Sequence, residues 1–427
     1  MSFTKQYFTA LFLALVCTSC NLSTSTRHNS NTLKFEEKLQ NVTLRIDIIL
    51  RDTLPNREVK VSSISKMGEW TGRRGETYMV DNRPMGNFVY SLIDKETKDT
   101  LWVDGFCALY EEWAGTDYEG KRVIDYEHTI LTPMPKRDAI LVLEQRARNG
   151  KYSELLRQDI TLDEVKECKS LLAPKVKTLR DSGDPKSTLD ILILADGYRA
   201  EEESIFDAMA DSLAKEWFSR EPWSDYKDRV SFRTAFIASD IDRVGDCRKD
   251  TLASEQSILN CQFGWHGTDR YLMTNRIFAQ TDYVGNTPAD FVIMAVNTPI
   301  YGGGGIYNEV TTYSASNPLA IELLIHEAGH GFAGLADEYF DNAGDGLGDY
   351  YDTTCEPWEP NITSLKHFSD KWEELYKEDK AGLLEGAAYT TKGMYRASDV
   401  CLMRVLNEPF CVVCKNAVGR KIKEYLE

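Results

Sequence analysis

The segment 325–339, IHEAGHGFAGLADEY, constrains this chain most, because it places two histidines four residues apart within an apolar stretch. On a helix, positions i and i+4 lie on one face about one turn apart, so His326 and His330 can bind the same metal ion. Glu327 lies between them, where its carboxylate can take a proton from a metal-activated water. The spacing therefore predicts a helix that carries a catalytic metal site.

The residues after this helix supply a candidate third ligand. Gly331 and Gly334 are expected to break the helix, and a chain that turns back there would bring Asp337 towards the two histidines. Three protein ligands and one open position are typical of a catalytic zinc site. Two unrelated histidines can reach this spacing by chance. Because the chain has only six histidines, we favour a single catalytic Zn²⁺ and a zinc metallopeptidase.

Four consecutive glycines lie in the segment 301–307, shortly before the metal-binding motif. The segment lacks the Lys-Ser/Thr of a phosphate-binding loop, which excludes that interpretation. A flexible loop is one alternative, and a backbone that must approach a substrate closely is the other. The position of the segment just before the motif favours close approach to a substrate, and Gly303, Gly304 and Tyr307 are the substrate-binding candidates. A strand over 307–314 is expected to border the cleft.

The chain has a multidomain pattern. Residues 33–165 contain short alternating strands separated by polar turns, which predict an all-β sandwich with an accessory role. Residues 166–188 are charged and contain a Ser-Gly-Asp-Pro turn, which predicts a linker. From 189 to 427, strands alternate with helices, as in an α/β domain.

The first residues resemble an export signal. Lys5 precedes a nine-residue apolar run at 8–16, which is too short to span a bilayer as a mature helix. The run ends in Val-Cys-Thr-Ser-Cys, similar to the bacterial motif in which Cys20 becomes lipidated. We therefore predict a signal peptide over 1–20 and a flexible tether over 21–32. The expected location is the periplasm, outer membrane or cell surface, with plain secretion as the alternative.

The net charge of −17 argues against a nucleic-acid partner, because an acidic surface repels phosphate. A protein or peptide substrate, a membrane contact through the lipid anchor and a monomeric state are expected instead. The acidic stretch 341–349 lacks the spacing of an EF-hand, so a solvated turn is favoured there over a Ca²⁺ site.

Eight cysteines remain outside the predicted signal peptide, and Cys411 and Cys414 form a Cys-x-x-Cys pair. A zinc knuckle would need a second such pair nearby in sequence, and none is present. A disulfide from Cys401 to one member of the pair, or buried thiols, is therefore favoured over a second metal site.

The motif His326-Glu327-x-x-His330-x-x-x-Gly334-Leu335-x-Asp337-Glu338-Tyr339 resembles the signature of the immunoglobulin-A peptidases, or igalysins, among metzincin-like zinc endopeptidases. The resemblance covers about residues 189–427, and the preceding sandwich resembles the domain often joined to such enzymes. Further matching pieces are Ala195-Asp196-Gly197-Tyr198, the glycine segment, Tyr395-Arg396, Cys401-x-Met403-Arg404 and Phe410-Cys411-x-Val413-Cys414.

This resemblance implies that His326, His330 and Asp337 bind zinc, and that Glu327 is the general base. It also implies that Met403 forms an apolar Met-turn beneath the metal. Tyr395 and Arg396 are expected to contact substrate, with Tyr395 as a candidate donor to the oxyanion.

Two alternatives stay open. The common metzincin spacing would put the third ligand at Ala336, whereas Asp337 lies one residue later, so Glu338 competes with Asp337 for this role. The rival function is a surface-anchored lipoprotein that binds glycan or protein and keeps zinc for structure. Glu327 argues against it, because a structural site has no use for a base.

Overall fold

The structure is a computed structural model that describes residues 34–53, 56–114, 125–147, 149–241, 244–247, 257–340 and 351–426. The predicted signal peptide, the tether, Cys20 and the acidic stretch 341–349 lie outside these residues. Within the described ranges, no helix combines the length and apolar character needed to cross a bilayer.

The N-terminal region consists mainly of β-strands. Its helices and strands are α1 (Phe35–Lys38), β1 (Leu39–Thr53), β2 (Asn56–Lys66), α2 (Glu76–Met79), β3 (Phe88–Asp94), β4 (Thr100–Phe106), α3 (Leu109–Ala114), β5 (Asp125–Pro135), β6 (Ala139–Arg146), β7 (Tyr152–Ile160) and β8 (Lys166–Glu167).

These strands form two four-stranded sheets, in the orders β5-β1-β2-β8 and β4-β3-β6-β7. The alternating apolar residues of β1 point inwards, and Leu44, Ile46 and Ile48 are fully buried. They belong to the same buried cluster as Leu92 of β3, so the two sheets share a core. This β-rich arrangement is consistent with the predicted sandwich. β3 and β4 pair as an antiparallel hairpin, with Phe88 opposite Phe106.

The rest of the chain mixes helices and strands. They are β9 (Lys175–Arg180), β10 (Leu189–Asp196), α4 (Glu203–Trp217), β11 (Val230–Phe236), β12 (Gly245–Asp246), β13 (Gln262–Phe263), α5 (Ile277–Val284), β14 (Phe291–Val296), β15 (Gly303–Ile306), β16 (Val310–Ser314), α6 (Ala320–Ala333), β17 (Ile362–Thr363), α7 (Glu373–Lys377), β18 (Leu384–Ala387), β19 (Thr390–Arg396) and α8 (Val412–Leu426).

A six-stranded sheet with the order β15-β16-β14-β10-β11-β9 organises this region. Its four inner strands are parallel, and β15 and β9 are antiparallel edge strands. The segment 166–188, predicted as a linker, contributes to two sheets, because β8 pairs with β2 and β9 pairs with β11.

The two faces of the six-stranded sheet pack differently. Ile191 and Ile193 of β10 join the cluster formed with α4, α6 and α8. Leu192 and Leu194 join the core of the N-terminal region on the opposite face. The sheet therefore lies between the N-terminal β-sheets and the helical layer that contains the metal-binding motif.

Candidate active site

Helix α6 carries the motif and differs from the prediction at one position. Gly331 stays inside the helix, where an added Cβ would collide with the Thr311 hydroxyl, so its small size serves packing. The helix ends at Gly334, which takes the left-handed conformation with φ of 61°. Only the second of the two predicted helix breakers therefore breaks the helix, and the chain then turns back as expected.

Three side-chain atoms meet beyond this turn. The Nε2 atoms of His326 and His330 lie 3.2 Å apart, and Asp337 Oδ1 lies 3.3 Å from each of them. Ligands about 2.0–2.1 Å from a tetrahedral zinc ion are separated by about 3.3–3.4 Å. The Asp337 Oδ1 atom is buried and makes no hydrogen bond of normal geometry within the described structure. This triangle therefore has the spacing and the unsatisfied acceptor that a zinc ion would fill.

Both imidazoles are oriented by backbone carbonyls. His326 Nδ1 lies 3.1 Å from the Leu402 carbonyl, and His330 Nδ1 lies 2.6 Å from the Leu335 carbonyl. If each Nδ1–H donates to its carbonyl, each Nε2 keeps its lone pair for the metal. The turn at Gly334 thus both reverses the chain and supplies the acceptor for His330.

Two tyrosines hold the other oxygen of Asp337. The Tyr339 hydroxyl donates to Asp337 Oδ2 at 2.8 Å, and the Tyr389 hydroxyl donates to the same atom. Sequence reasoning missed Tyr389, which lies more than fifty residues after Asp337 and belongs to no motif. Its position depends on the β18–β19 turn, which brings residue 389 beside Asp337.

Glu338 points to a different cluster. Its Oε1 accepts hydrogen bonds from Asn361 at 3.0 Å and from the Cys414 thiol at 3.2 Å. Asp337 and Glu338 thus diverge, and only Asp337 lies beside the two imidazoles.

The glycine run packs against Glu327. Residues 303–306 form the edge strand β15 instead of the predicted loop, and β15 contacts α6. A Cβ added at Gly303 would lie 3.3 Å from Glu327 Oε1. A Cβ added at Gly305 would collide with the Glu327 carbonyl and lie 3.0 Å from His330 Cβ. The glycines let the edge strand lie directly on the motif helix, so the predicted close backbone approach is made to α6.

The charges within the site shift its pKa values strongly. Burial raises the pKa of Glu327 above its ordinary value, which suits a base that must hold a proton. Burial alone would raise the pKa of Asp337 and lower that of His330. Their mutual attraction outweighs burial, so the pKa of Asp337 falls well below its usual range and that of His330 rises to about 9. A cation in this pocket would take the place of the His330 proton.

Two further residues, which the motif did not include, border the site. Arg270 is exposed, and its charge interacts with Asp337 and Glu327. Tyr301 is partly buried and interacts with both carboxylates and with Arg270. A cationic and a phenolic side chain therefore lie near enough to influence the two carboxylates.

Met403 lies beneath the helix. It is fully buried, and its Sδ would lie 2.7 Å from an added Cβ at Gly329. Its carbonyl accepts a hydrogen bond from the Glu338 backbone at 2.8 Å. Met403 thus packs beneath α6, and its backbone is hydrogen-bonded to the segment that carries Asp337.

The remaining substrate-binding candidates lie elsewhere. Gly304 faces Met273 and Tyr271, on the side opposite Gly303. Tyr307 is 4% exposed, and its hydroxyl contacts Lys421 Nζ at 3.1 Å. Arg396 is also 4% exposed and donates to the carbonyls of residues 385 and 386.

Tyr395 is partly exposed and lies on β19, where its backbone pairs with Thr363 and Glu385. Of the five candidates, Gly303 is brought beside Glu327, and Tyr307 lies beside Gly334 at the end of the motif helix.

Two family models match the chain. One, described as IgA Peptidase M64, matches residues 177–381, and the other, described as Peptidase M64 N-terminus, matches residues 34–157. The first match includes the two histidines, Glu327 and Asp337 and ends before Met403. No curated protein matches the chain significantly.

Proposed function

Because the chain belongs to the IgA peptidase M64 family, we propose that it is an exported zinc-dependent endopeptidase with a metzincin-like catalytic domain. The observation that carries the proposal is the triangle of His326, His330 and Asp337, with the carboxylate of Glu327 beside it. Its ligand spacing fits a tetrahedral ion, and its nitrogen and oxygen donors suit zinc.

His326, His330 and Asp337 would hold the ion. When bound, zinc would polarise the scissile carbonyl and lower the pKa of a water molecule to about 7. The carbonyls of Leu402 and Leu335 fix the imidazole rings, and Tyr339 and Tyr389 fix the carboxylate of Asp337. The ligands are thus held in place before substrate arrives, which reduces the reorganisation needed during the reaction.

Glu327 is the general base. It accepts the proton of the attacking water as the carbonyl carbon becomes tetrahedral, and it then transfers this proton to the leaving amine. Its raised pKa favours holding the proton between the two steps. Structural zinc sites have no need of such a base, and its presence therefore supports catalysis over the rival role of a zinc-stabilised binding protein.

The edge strand β15 is suited to bind an extended peptide. Segment 270–272 already pairs with Gly303. The Gly303 N–H donates to the Arg270 carbonyl, and the Leu272 N–H donates to the Gly303 carbonyl. Gly305, two residues along, directs its backbone groups to the same outer edge. A peptide that adds a strand beside Gly305 would pass over Glu327 and His330. Arg270 would then attract a substrate carbonyl or carboxylate.

Export rests on the sequence of residues 1–20, and lipid anchoring rests on the small residues before Cys20. Labelling of the full-length protein with a fatty-acid analogue would test the anchor. Labelling that persists in a Cys20→Ala variant would contradict it.

The matched test of the activity is Glu327→Gln in the full chain. This substitution keeps the shape of the side chain and removes the base, so zinc content should stay unchanged while hydrolysis of a peptide library falls by about 10²–10⁴-fold. Cleavage at the wild-type rate would show that Glu327 is not the base. Wild-type protein that contains zinc and cleaves no member of a broad protein and peptide panel would favour the binding protein. The cleavage profile would also define the substrate class.

A further inference from the structure

We propose that Glu338, Cys401, Cys411 and Cys414 form a second metal site, which binds a structural zinc ion. We call these four residues the thiolate cluster. The site is separate from the histidine site and does not depend on the proposed catalytic function.

The four side chains converge in a buried position. One ligand atom from each of them lies within 4.8 Å of all the others. Cys401 Sγ and Cys414 Sγ lie 3.6 Å apart, and Cys414 Sγ lies 3.2 Å from Glu338 Oε1. Thiolates about 2.3 Å from a tetrahedral zinc ion are separated by about 3.8 Å. Small shifts of these side chains would therefore bring the four ligand atoms to the separations of a tetrahedral site.

The Glu338 carboxylate provides an independent reason to expect a cation. Glu338 has no exposed surface, and its Oε2 atom makes no hydrogen bond to any residue in the described ranges. Burying an unpaired carboxylate oxygen is unfavourable unless a proton or a cation compensates it. The three neighbouring thiols supply no compensating charge, whereas a divalent cation would satisfy this oxygen and the sulfurs together.

The chemistry of the donors selects the type of metal. Three sulfur ligands and one carboxylate favour Zn²⁺ over Ca²⁺ or Mg²⁺, which prefer oxygen ligands. Four protein ligands leave no open position, and this is the pattern of a structural site. Binding would release the thiol protons, because the metal ligand is the thiolate.

The local backbone supports thiolate ligands. Cys411 and Cys414 flank the beginning of α8, where the partial positive charge of a helix N-terminus stabilises an anion. The Cys411 backbone N–H lies 3.4 Å from Cys401 Sγ, so it also donates towards the sulfur. These features explain how a single Cys-x-x-Cys pair suffices, since Cys401 and Glu338 supply the ligands that the sequence seemed to lack.

A disulfide fits this cluster less well. A bond between Cys401 and Cys414 would oxidise two thiols, and Cys411 and the carboxylate of Glu338 would stay buried beside it without a cation. None of the eight cysteines in the described ranges is disulfide-bonded. The structure shows Cys401, Cys411 and Cys414 as buried free thiols, which is one of the two alternatives that the sequence favoured. The proposal of a second metal departs from that prediction because of the position of Glu338.

The second ion would stabilise the first site. Glu338 directly follows Asp337, and Cys401 lies two residues before Met403. The thiolate cluster thus joins α8 to the segment that carries the third catalytic ligand and to the segment that forms the floor. Loss of the second ion should loosen Asp337 and weaken zinc binding at the histidine site.

Metal analysis of the full-length protein tests this proposal. Wild type should contain two zinc ions per chain, and His330→Ala should retain one. Cys414→Ser should lose the ion of the thiolate cluster, whereas Cys355→Ser, which changes a cysteine outside the cluster, should retain both. One ion in wild type and none in His330→Ala would overturn the proposal.

Cobalt provides a second measurement, which needs no Cys414 variant. Wild-type protein and His330→Ala produced in cobalt-supplemented medium should both show a near-ultraviolet sulfur-to-cobalt charge-transfer band. Because the histidine site contains no sulfur ligand, this band reports cobalt in the thiolate cluster. Absence of this band in wild type, or an intact mass showing the loss of two hydrogens to a disulfide among these cysteines, would contradict the second site.

Discussion

Asp337 and Glu338 are neighbours in sequence, yet their side chains enter two clusters with opposite properties. The histidine site is partly open, with the side chains of His326 and His330 12% and 17% exposed. In the thiolate cluster, Glu338, Cys401 and Cys414 have no exposed surface. Only the histidine site has the proposed base, Glu327, beside it. The difference separates a site that can admit substrate from one that can only stabilise the fold.

The two clusters are also mechanically connected. The backbone N–H of Glu338 donates to the carbonyl of Met403, and Met403 packs beneath α6. The position of Asp337 therefore depends on residues of both clusters. Substitutions in one cluster therefore measure how strongly it depends on the other.

The largest effect is expected from Asp337→Ala. This substitution removes a proposed ligand of the histidine site. Removal of an outer-shell partner typically lowers activity by about 10–100-fold, and the loss of activity in Asp337→Ala should be larger. Zinc content should fall by one ion per chain. Glu338→Gln is the comparison: the histidine site should still bind zinc, with an affinity weakened only through loss of the second ion. The opposite result, with zinc lost from the histidine site only in Glu338→Gln, would exchange the roles of the two carboxylates.

A large effect on stability is expected from Gly305→Ala. The new methyl group would collide with the backbone carbonyl of Glu327, which cannot move without displacing α6. We expect a loss of about 3 kcal/mol in the free energy of unfolding, the upper end for overpacking. Gly304→Ala is the matched control, because its methyl group meets the side chains of Met273 and Tyr271 instead of backbone. Denaturant unfolding would measure both variants, and equal losses would argue against close packing of β15 on α6.

Tyr389→Phe should have an intermediate effect. It removes the hydroxyl that holds Asp337 Oδ2 and leaves Tyr339 as the second donor. Loss of such an outer-shell partner should weaken zinc affinity or activity by about 10–100-fold. Titration with a competing chelator would measure the affinity. Tyr395→Phe serves as the comparison, and a larger effect there would restore the role first predicted for Tyr395.

The smallest effect is expected from Met403→Leu. Met403 packs against Gly329 and provides no ligand, so a side chain of similar volume should cost less than about 1.5 kcal/mol in stability. Zinc content at both clusters should stay the same. Loss of either ion in this variant would indicate that the floor does more than fill space.

Local patterns were enough to predict several parts of the molecule. The spacing of His326 and His330 predicts a shared helix face, because the helical period acts over only four residues. Alternating apolar residues predict the buried face of β1, and Gly334 marks the end of α6. In the same way, the glycine run predicts a close backbone approach. Composition did not show that the glycine run approaches α6, or that residues 303–306 form a strand.

Contacts between distant segments were decided only by the tertiary structure. No local period relates Tyr389 to Asp337. The same is true of Glu338 and the three cysteines around it, Cys401, Cys411 and Cys414. Their meeting depends on how β19, the segment around Met403 and α8 pack against the end of α6. The sequence by itself determined a helix that carries two histidines and Glu327, the proposed base. The packing decided that Asp337 faces these histidines while Glu338 faces the thiols, because successive residues of an extended chain point to opposite sides.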